Sequence, residues 1–208
     1  MENSMDGTAG FKTPIGGKGM DEKVRCAWAG DSQIYIDYHD NEWGRPVHDD
    51  DRLFEMLILE TMQAGLSWIT VLKKREAFRK AFDGFKPELV ACYDDKKIEE
   101  LMADEGIIRN RLKINAAISN ARAFLAVQAR YGSFDRMIWG YVDNTPIVGH
   151  CENIKDLPAT TALSDRISKD LKKLGFKFVG STTIYAFMQA IGMVNDHVTG
   201  CFLYNNIK

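Results

Sequence analysis

No stretch of this 208-residue chain approaches the roughly 18 consecutive apolar residues that a bilayer-spanning helix needs, so no membrane partner is expected. Alternating apolar and polar residues are nearly absent, which argues against a strand-rich fold. A dominant charge is missing too. Lys and Arg number 27 against 29 Asp and Glu, which excludes a protein coated in basic surface but leaves room for a local basic patch. Cysteine is scarce: four residues with no signal peptide fit the reducing cytoplasm better than a disulfide framework. The first of them, Cys26, also lacks the nearby second cysteine of the usual zinc-finger signature.

What is present is helical periodicity. Leu53, Phe54, Leu57 and Ile58 share one face of a helix predicted over 50–62, behind an acidic start that suits a helix N-terminus. Ile114, Ile118, Ala121 and Leu125 mark a long helix over 111–129. Ser164 is read as the N-cap of a helix striped by Ile167, Leu171 and Leu174 and stopped by Gly175, with Lys169, Lys172 and Lys173 on its outer side. A further apolar helix is expected over 181–191, and Phe176–Val179 is the best strand candidate. The class is all-α. The Gly-rich first twenty residues carry almost no apolar pattern, giving a division into a disordered lead-in over 1–23 and one domain over 24–208.

Two pairs carry the first chemical signal. Cys26 precedes His39 near the start, and His197 precedes Cys201 by four residues near the end. On a helix the second pair would share a face. Two thiolates and two imidazoles complete a tetrahedral zinc set, with no position left for substrate. Spacing alone leaves open that all four are ordinary buried residues. The adjacent His150 and Cys151 are read as loop residues of no special meaning.

A second signal is the stretch Glu105–Lys113, between a helix over 96–104 and the long helix. Gly106, Ile107 and Ile108 form a tight turn opening a helix, and Arg109, Arg111 and Lys113 follow. Amides at a helix N-terminus suit a phosphate, as in a helix-hairpin-helix element on DNA. A plain turn between two helices with solvated cations is the competing reading.

A third is the density of Trp28, Tyr35, Tyr38 and Trp43 beside the candidate ligands, with Glu60 near the end of an otherwise apolar helix and Trp68 downstream. Aromatics with one buried acid suit a flat, cationic or amine-bearing ring. Equally, the aromatics could be core, with Glu60 paired to an arginine or capping a turn.

Several segments are familiar as words. Tyr38–Gly44 (YHDNEWG), Gln63–Arg75 (QAGLSWITVLKKR), Gly106–Arg109, Gly175–Gly180 (GFKFVG) and Val194–Val198 (VNDHV) resemble, in order, the bacterial 3-methyladenine DNA glycosylase I (Tag) family. The similarity runs from about Arg25 to Cys201. It implies an all-α helix-hairpin-helix glycosylase that removes 3-methyladenine from alkylated double-stranded DNA as a monomer in the cytoplasm. It also implies one structural zinc per chain on Cys26, His39, His197 and Cys201, with Asp196 orienting His197. The base-recognition acid falls on Glu60 with Tyr38 beside it, the stacking residues on Trp68, Tyr35 and Trp28. The loop Ala64–Ser67 falls where the family approaches the lesion, with Gly65 preceding Leu66, an apolar candidate to fill the gap left by a flipped base. Thr61, Met62 and the stretch Asn144–Leu157 depart from the family pattern. The long helix offers no Asp in the catalytic place, so a monofunctional enzyme without a lyase step is expected. Two rivals stand beside this: a non-catalytic zinc-stapled DNA-binding module, which has no need of Glu60 and Trp68, and a small-molecule nucleoside hydrolase, which has no need of the cations.

Overall fold

The computed structural model describes residues 23–206, so the lead-in expected over 1–23 lies outside the described residues except for Lys23. The chain builds helices α1 (Gln33–Asn41), α2 (Asp50–Gln63), α3 (Trp68–Ala81), α4 (Pro87–Val90), α5 (Asp95–Ala103), α6 (Arg111–Tyr131), α7 (Phe134–Trp139), α8 (Ala162–Lys173) and α9 (Ser181–Ala190). Two short strands, β1 (Ile147–Val148) and β2 (Val194–Asn195), pair in parallel, Ile147 opposite Val194. None of the described helices is long and apolar enough to cross a membrane.

The central element is α2. Asp49 caps it by accepting the Arg52 amide at 2.9 Å, and Asp50 and Asp51 complement the helix dipole in its first turn. Leu53, Phe54, Leu57 and Ile58 are fully buried, but so are Leu59 and Met62. A helix apolar all round must be covered all round, and α2 packs against α3, α6, α7 and α9. Asp50 also accepts the amides of Phe134 (2.9 Å) and Asp135 (2.7 Å), tying the start of α7 to the start of α2.

Three local expectations need correction. Thr161, not Ser164, is the N-cap of α8; its hydroxyl accepts the Ser164 amide while the Ser164 hydroxyl accepts the Thr161 amide, a reciprocal box. Phe176–Val179 is loop, not strand: it has only the space between the helix stop at Gly175 (φ 97°) and the start of α9, and Phe176 and Val179 anchor it by burial. His197 and Cys201 do not share a helix; they follow β2 in a compact turn, where Cys201 N donates to Val198 O at 2.8 Å.

The end of α9 is pressed against the segment after α1. Gly44 N and Val47 N donate to Gln189 O and Ile191 O, each at 3.0 Å. At Gly192 (φ 72°) a Cβ would meet the Arg45 carbonyl carbon at 2.2 Å, so only glycine fits this approach. The contact brings α1 and α9, distant in sequence, to one side of α2, where the site lies.

Candidate active site and metal cluster

A cavity of about 270 Å³ opens among α1, α2, α3 and α9. Trp28, Tyr35, Tyr38, Trp68 and Glu60, all expected from sequence, line it together with Trp43. Tyr38 and Trp68 lie with ring centroids 5.4 Å apart, and Trp28 packs edge-on against Tyr35 (5.7 Å) and Trp43 (5.0 Å). The Tyr35 hydroxyl accepts the Ile69 amide at 2.9 Å, which fixes the first turn of α3 and so the Trp68 ring. The Trp68 Nε1 group is buried with no partner among the described residues.

Glu60 is 5% exposed and makes no hydrogen bond or ion pair with any described residue. Burial alone pushes its carboxyl up to about 8. Burial, and then the charge of Glu60, push the Tyr38 hydroxyl well above its ordinary range. The other acids of this region behave oppositely. Desolvation acts on Glu42 and Glu55, but Arg75 overrides it and holds both below the usual carboxylate range, through bonds of 2.7–2.9 Å. One acid is therefore left without a cation, in a pocket walled by rings.

Sequence reasoning missed Gln63, Ile154, Leu157, Ala186 and Gln189, which also line the cavity. Ile154 and Leu157 come from the stretch that departs from the family pattern and has no periodicity to place it.

Behind the aromatic wall, Cys26, His39, His197 and Cys201 converge. All four are buried, and their donor atoms lie within 4.8 Å of one another. Cys201 Sγ is 3.4 Å from His197 Nδ1 and 3.5 Å from His39 Nε2; Cys26 Sγ is 3.5 Å from His197 Nδ1. A tetrahedral ion at about 2.3 Å from sulfur and about 2.0 Å from nitrogen sets sulfur–nitrogen edges of about 3.5 Å, so the donor set fits a metal. Hydrogen bonding from Cys26, then from His197 and His39, holds the Cys201 thiol far below its ordinary range, favouring the ligating thiolate.

The outer partners differ from expectation. His39 Nδ1 donates to Asp40 Oδ1 at 2.8 Å, and Arg25 grips that carboxylate at 2.7 Å. His197 Nε2 donates to the Trp43 carbonyl at 3.3 Å. Asp196 does not orient His197; it accepts instead from Tyr185 and Gln189. Cluster and pocket share a wall, since the Trp43 ring sits 4.7 Å from His197 and lines the cavity. His150 and Cys151 stand outside the cluster: His150 Nδ1 bonds the Tyr204 hydroxyl at 2.7 Å and the Cys151 carbonyl accepts Thr199 N at 3.0 Å.

A family model described as methyladenine glycosylase matches residues 28–204. The chain belongs to the methyladenine glycosylase family. DNA-3-methyladenine glycosylase 1 of Escherichia coli (strain K12) is 51% identical over 184 residues, 88% of this chain and 98% of the relative. The DNA-3-methyladenine glycosylase of Haemophilus influenzae (strain ATCC 51907 / DSM 11121 / KW20 / Rd) is 48% identical over 178 residues, 86% and 96% of the two chains. A crystal structure of 3-methyladenine DNA glycosylase I aligns with TM-score 0.84 at 51% identity, covering 86% of this chain and 98% of the other. A Tyr-to-Phe variant of such an enzyme, solved in complex with 3-methyladenine, aligns with TM-score 0.85 at 36% identity over 88% of this chain and 99% of its own.

Within this methyladenine glycosylase the stretch Glu105–Lys113 has a different use from the one its cations suggest. Gly106 N donates to Asp104 Oδ1 (2.7 Å) and Ile107 N to the Asp104 carbonyl (3.4 Å), so two of the three turn amides point inward. A Cβ at Gly106 would meet Ala77 at 2.9 Å, which explains the glycine by close packing on α3. Arg109 pairs with Glu105 at 3.6 Å and Arg111 with Glu99 at 2.8 Å, while Ile108 is half-buried against the core. Lys113 is buried; its Nζ donates to the carbonyls of Met62 (2.8 Å) and Ala64 (2.7 Å). It closes the C-terminus of α2 and holds the loop carrying Gly65 (φ 78°) and the 42%-exposed Leu66. Lys113 is thus a loop clamp and is unavailable to a phosphate.

Proposed function

We propose that this protein hydrolyses the N-glycosidic bond of 3-methyladenine in alkylated double-stranded DNA, leaving an abasic site. The observation that carries the reading is Glu60, a buried carboxylate without a cation in a ring-walled pocket. Methylation at N3 makes the base cationic within the nucleotide. A pocket offering aromatic faces and one carboxyl that gives up its proton when a cation lies against it binds that cation better than neutral adenine. Glu60 accepts from the exocyclic amine, Tyr38 completes the edge contacts, and Trp68, Tyr35 and Trp28 stack on the ring.

The base must leave the helix to reach a closed pocket. When the bond from the deoxyribose C1′ breaks, its electron pair passes to the ring, which departs neutral. Water adds its oxygen to C1′ and gives up a proton. Little push is needed, so preorganised binding supplies the catalysis. Leu66, exposed on a loop pinned by Lys113, fits the role of a wedge filling the vacated space.

The helix-hairpin-helix role is better suited to α8 and α9 than to α5 and α6. Their connection carries two glycines, Gly175 and Gly180, and is held from beneath: Asn120 accepts the Lys177 amide at 2.7 Å and Ser168 donates to the Val179 carbonyl at 2.6 Å. Phe178, in the left-handed region (φ 56°), is 40% exposed, and Lys169 and Lys172 line a hollow with Ser181 at the start of α9. A rigid turn opening a helix beside cations suits a phosphate. Zinc suits the four-residue cluster and leaves no coordination position for chemistry, so it would hold together the segments behind the pocket wall. The four free cysteines suit a reducing compartment such as the cytoplasm. The deciding experiment is release of free 3-methyladenine from methylated duplex DNA; a purified protein that releases none would overturn the reading.

A further inference from the structure

Where the end of α6, α7 and α8 meet, a groove of about 750 Å³ lies apart from the base pocket. Arg130, Arg136, Arg166 and Lys173 line it with Tyr131 and Tyr141. These three arginines differ from the others of the chain. Arg25 pairs with Asp40; Arg52, Arg75 and Arg79 pair with Glu42 or Glu55; Arg109 and Arg111 pair with Glu105 and Glu99. Arg45 and Arg122 donate to main-chain carbonyls. Among the described residues, Arg130, Arg136 and Arg166 make no side-chain hydrogen bond or ion pair.

Two of them are nonetheless held. Arg130 lies 5.1 Å from the Tyr131 ring centroid and Arg166 5.3 Å from that of Tyr141. An aromatic face fixes a guanidinium without neutralising it, leaving its fork of N–H donors for a planar or tetrahedral anion. The acids of the groove offset only part of this charge. Asp170 bonds Lys173 (2.9 Å) and the Tyr141 hydroxyl (3.0 Å) and also feels the charge of Arg166, so Asp143 and Asp170 stand against Arg130, Arg136, Arg166 and Lys173. In a chain of net charge −2, a groove of four cations and two acids, with three arginines free of any hydrogen bond, describes an anion site.

The position indicates which anion. Lys173 also lines the hollow where α8, with Lys169 and Lys172, faces Ser181 at the start of α9. The positive band, with Asp165 the one acid in the hollow, therefore runs from the start of α9 across α8 into the groove. From Gln189 at the pocket back to Ser181 is about 12 Å of helix, and crossing α8 adds about 10 Å. We propose that this groove holds the phosphodiester backbone of the same duplex roughly six base pairs from the lesion, extending the footprint on one side. The proposal rests on the DNA reading above.

The test compares the wild type with the doubly substituted Arg130→Gln, Arg166→Gln protein, and with Arg136→Gln, whose exposed side chain makes no contact to lose. Binding to duplexes carrying an abasic-site analogue is measured against salt concentration, with flanks of about five and about twelve base pairs on each side. On the long duplex, each lost contact should flatten the salt slope by roughly one unit; on the short one, variants and wild type should coincide. Single-turnover base release at saturating enzyme should be unchanged. Equal slopes for all three proteins on the long duplex, or the same loss on the short one, would overturn the groove assignment. If the wild type neither binds duplex nor releases base, the glycosylase reading fails, which is a separate outcome. Should the double variant melt early, Arg136→Gln carries the comparison alone.

Discussion

Gln189 Nε2 donates to Asp196 Oδ2 at 2.7 Å, and the same carboxylate oxygen accepts the Tyr185 hydroxyl at 2.5 Å. A carboxylate accepts only, so the amide must offer it the NH₂ group. That leaves Oε1 as the free acceptor of a side chain lining the base pocket. An acceptor there favours an exocyclic amine, as on adenine, over the carbonyl that guanine carries in the same place. Replacing Gln189 with Met should narrow the preference for 3-methyladenine over 3-methylguanine by about tenfold, or about 1.4 kcal/mol. Competition between the two lesions in one methylated DNA reads this out, and an unchanged ratio would remove Gln189 from base reading.

Glu60→Gln keeps the size of the side chain and removes its charge. Excision of 3-methyladenine should fall by one to three orders of magnitude, roughly 1.4–4 kcal/mol of transition-state stabilisation. Binding to an abasic duplex should stay level, since no base then occupies the pocket. Full activity in the variant would exclude Glu60 from the mechanism.

The raised carboxyl of Glu60, about 8 against an ordinary 4.5, also sets a pH dependence of stability. The unfolded chain ionises it above about 4.5, whereas the folded chain keeps the proton until about 8. The cost to the free protein is absent below the lower value, grows between the two, and is constant above the upper. Glu60→Gln should therefore raise Tm at pH 8.5 by an amount worth on the order of a few kcal/mol, and by almost nothing at pH 4. Melting curves at the two pH values check it; a constant difference would show that Glu60 is not buried as a neutral acid.

Lys113→Ala removes the donor shared by the Met62 and Ala64 carbonyls. Leaving such acceptors bare costs about 1–3 kcal/mol and loosens the loop carrying Leu66. Excision should decline while the salt slope of duplex binding stays as in wild type, the opposite of a phosphate contact. A slope reduced by roughly one unit would restore Lys113 to the DNA surface.

The cluster of Cys26, His39, His197 and Cys201 should carry one zinc per chain in freshly purified, unchelated protein. Cys201→Ala should lower Tm far more than it lowers single-turnover chemistry, because the four ligands stand behind the wall and not in the pocket. Elemental analysis finding no metal would sink this.

Much of this was legible in the residues. Helices α2, α6 and α9 follow from apolar spacing, and Glu60 stands out as an acid in an apolar helix. The Cys/His pairs are visible as spacing, and the collinear family motifs tie them to one site. Other features have no local signature. β1 and β2 are two residues each, too short for a period of two to register. Lys113 reads as a solvated cation because nothing in its neighbours reveals two bare carbonyls some fifty residues earlier. Gly175 reads as a helix stop and Phe176–Val179 as a strand, since a short strand and a hairpin turn look alike until α8 and α9 are packed together. Ile154 and Leu157 reach the pocket from an aperiodic stretch, so only the fold brings them there.

The cluster also makes the order of the pocket a matter of long-range closure. Cys26 and His197 are separated by 171 positions, and His39 and Cys201 by 162. Trp28, Tyr35 and Tyr38 lie between Cys26 and His39, so the segment that carries the pocket's rings is backed by residues that no local helix formation can bring there.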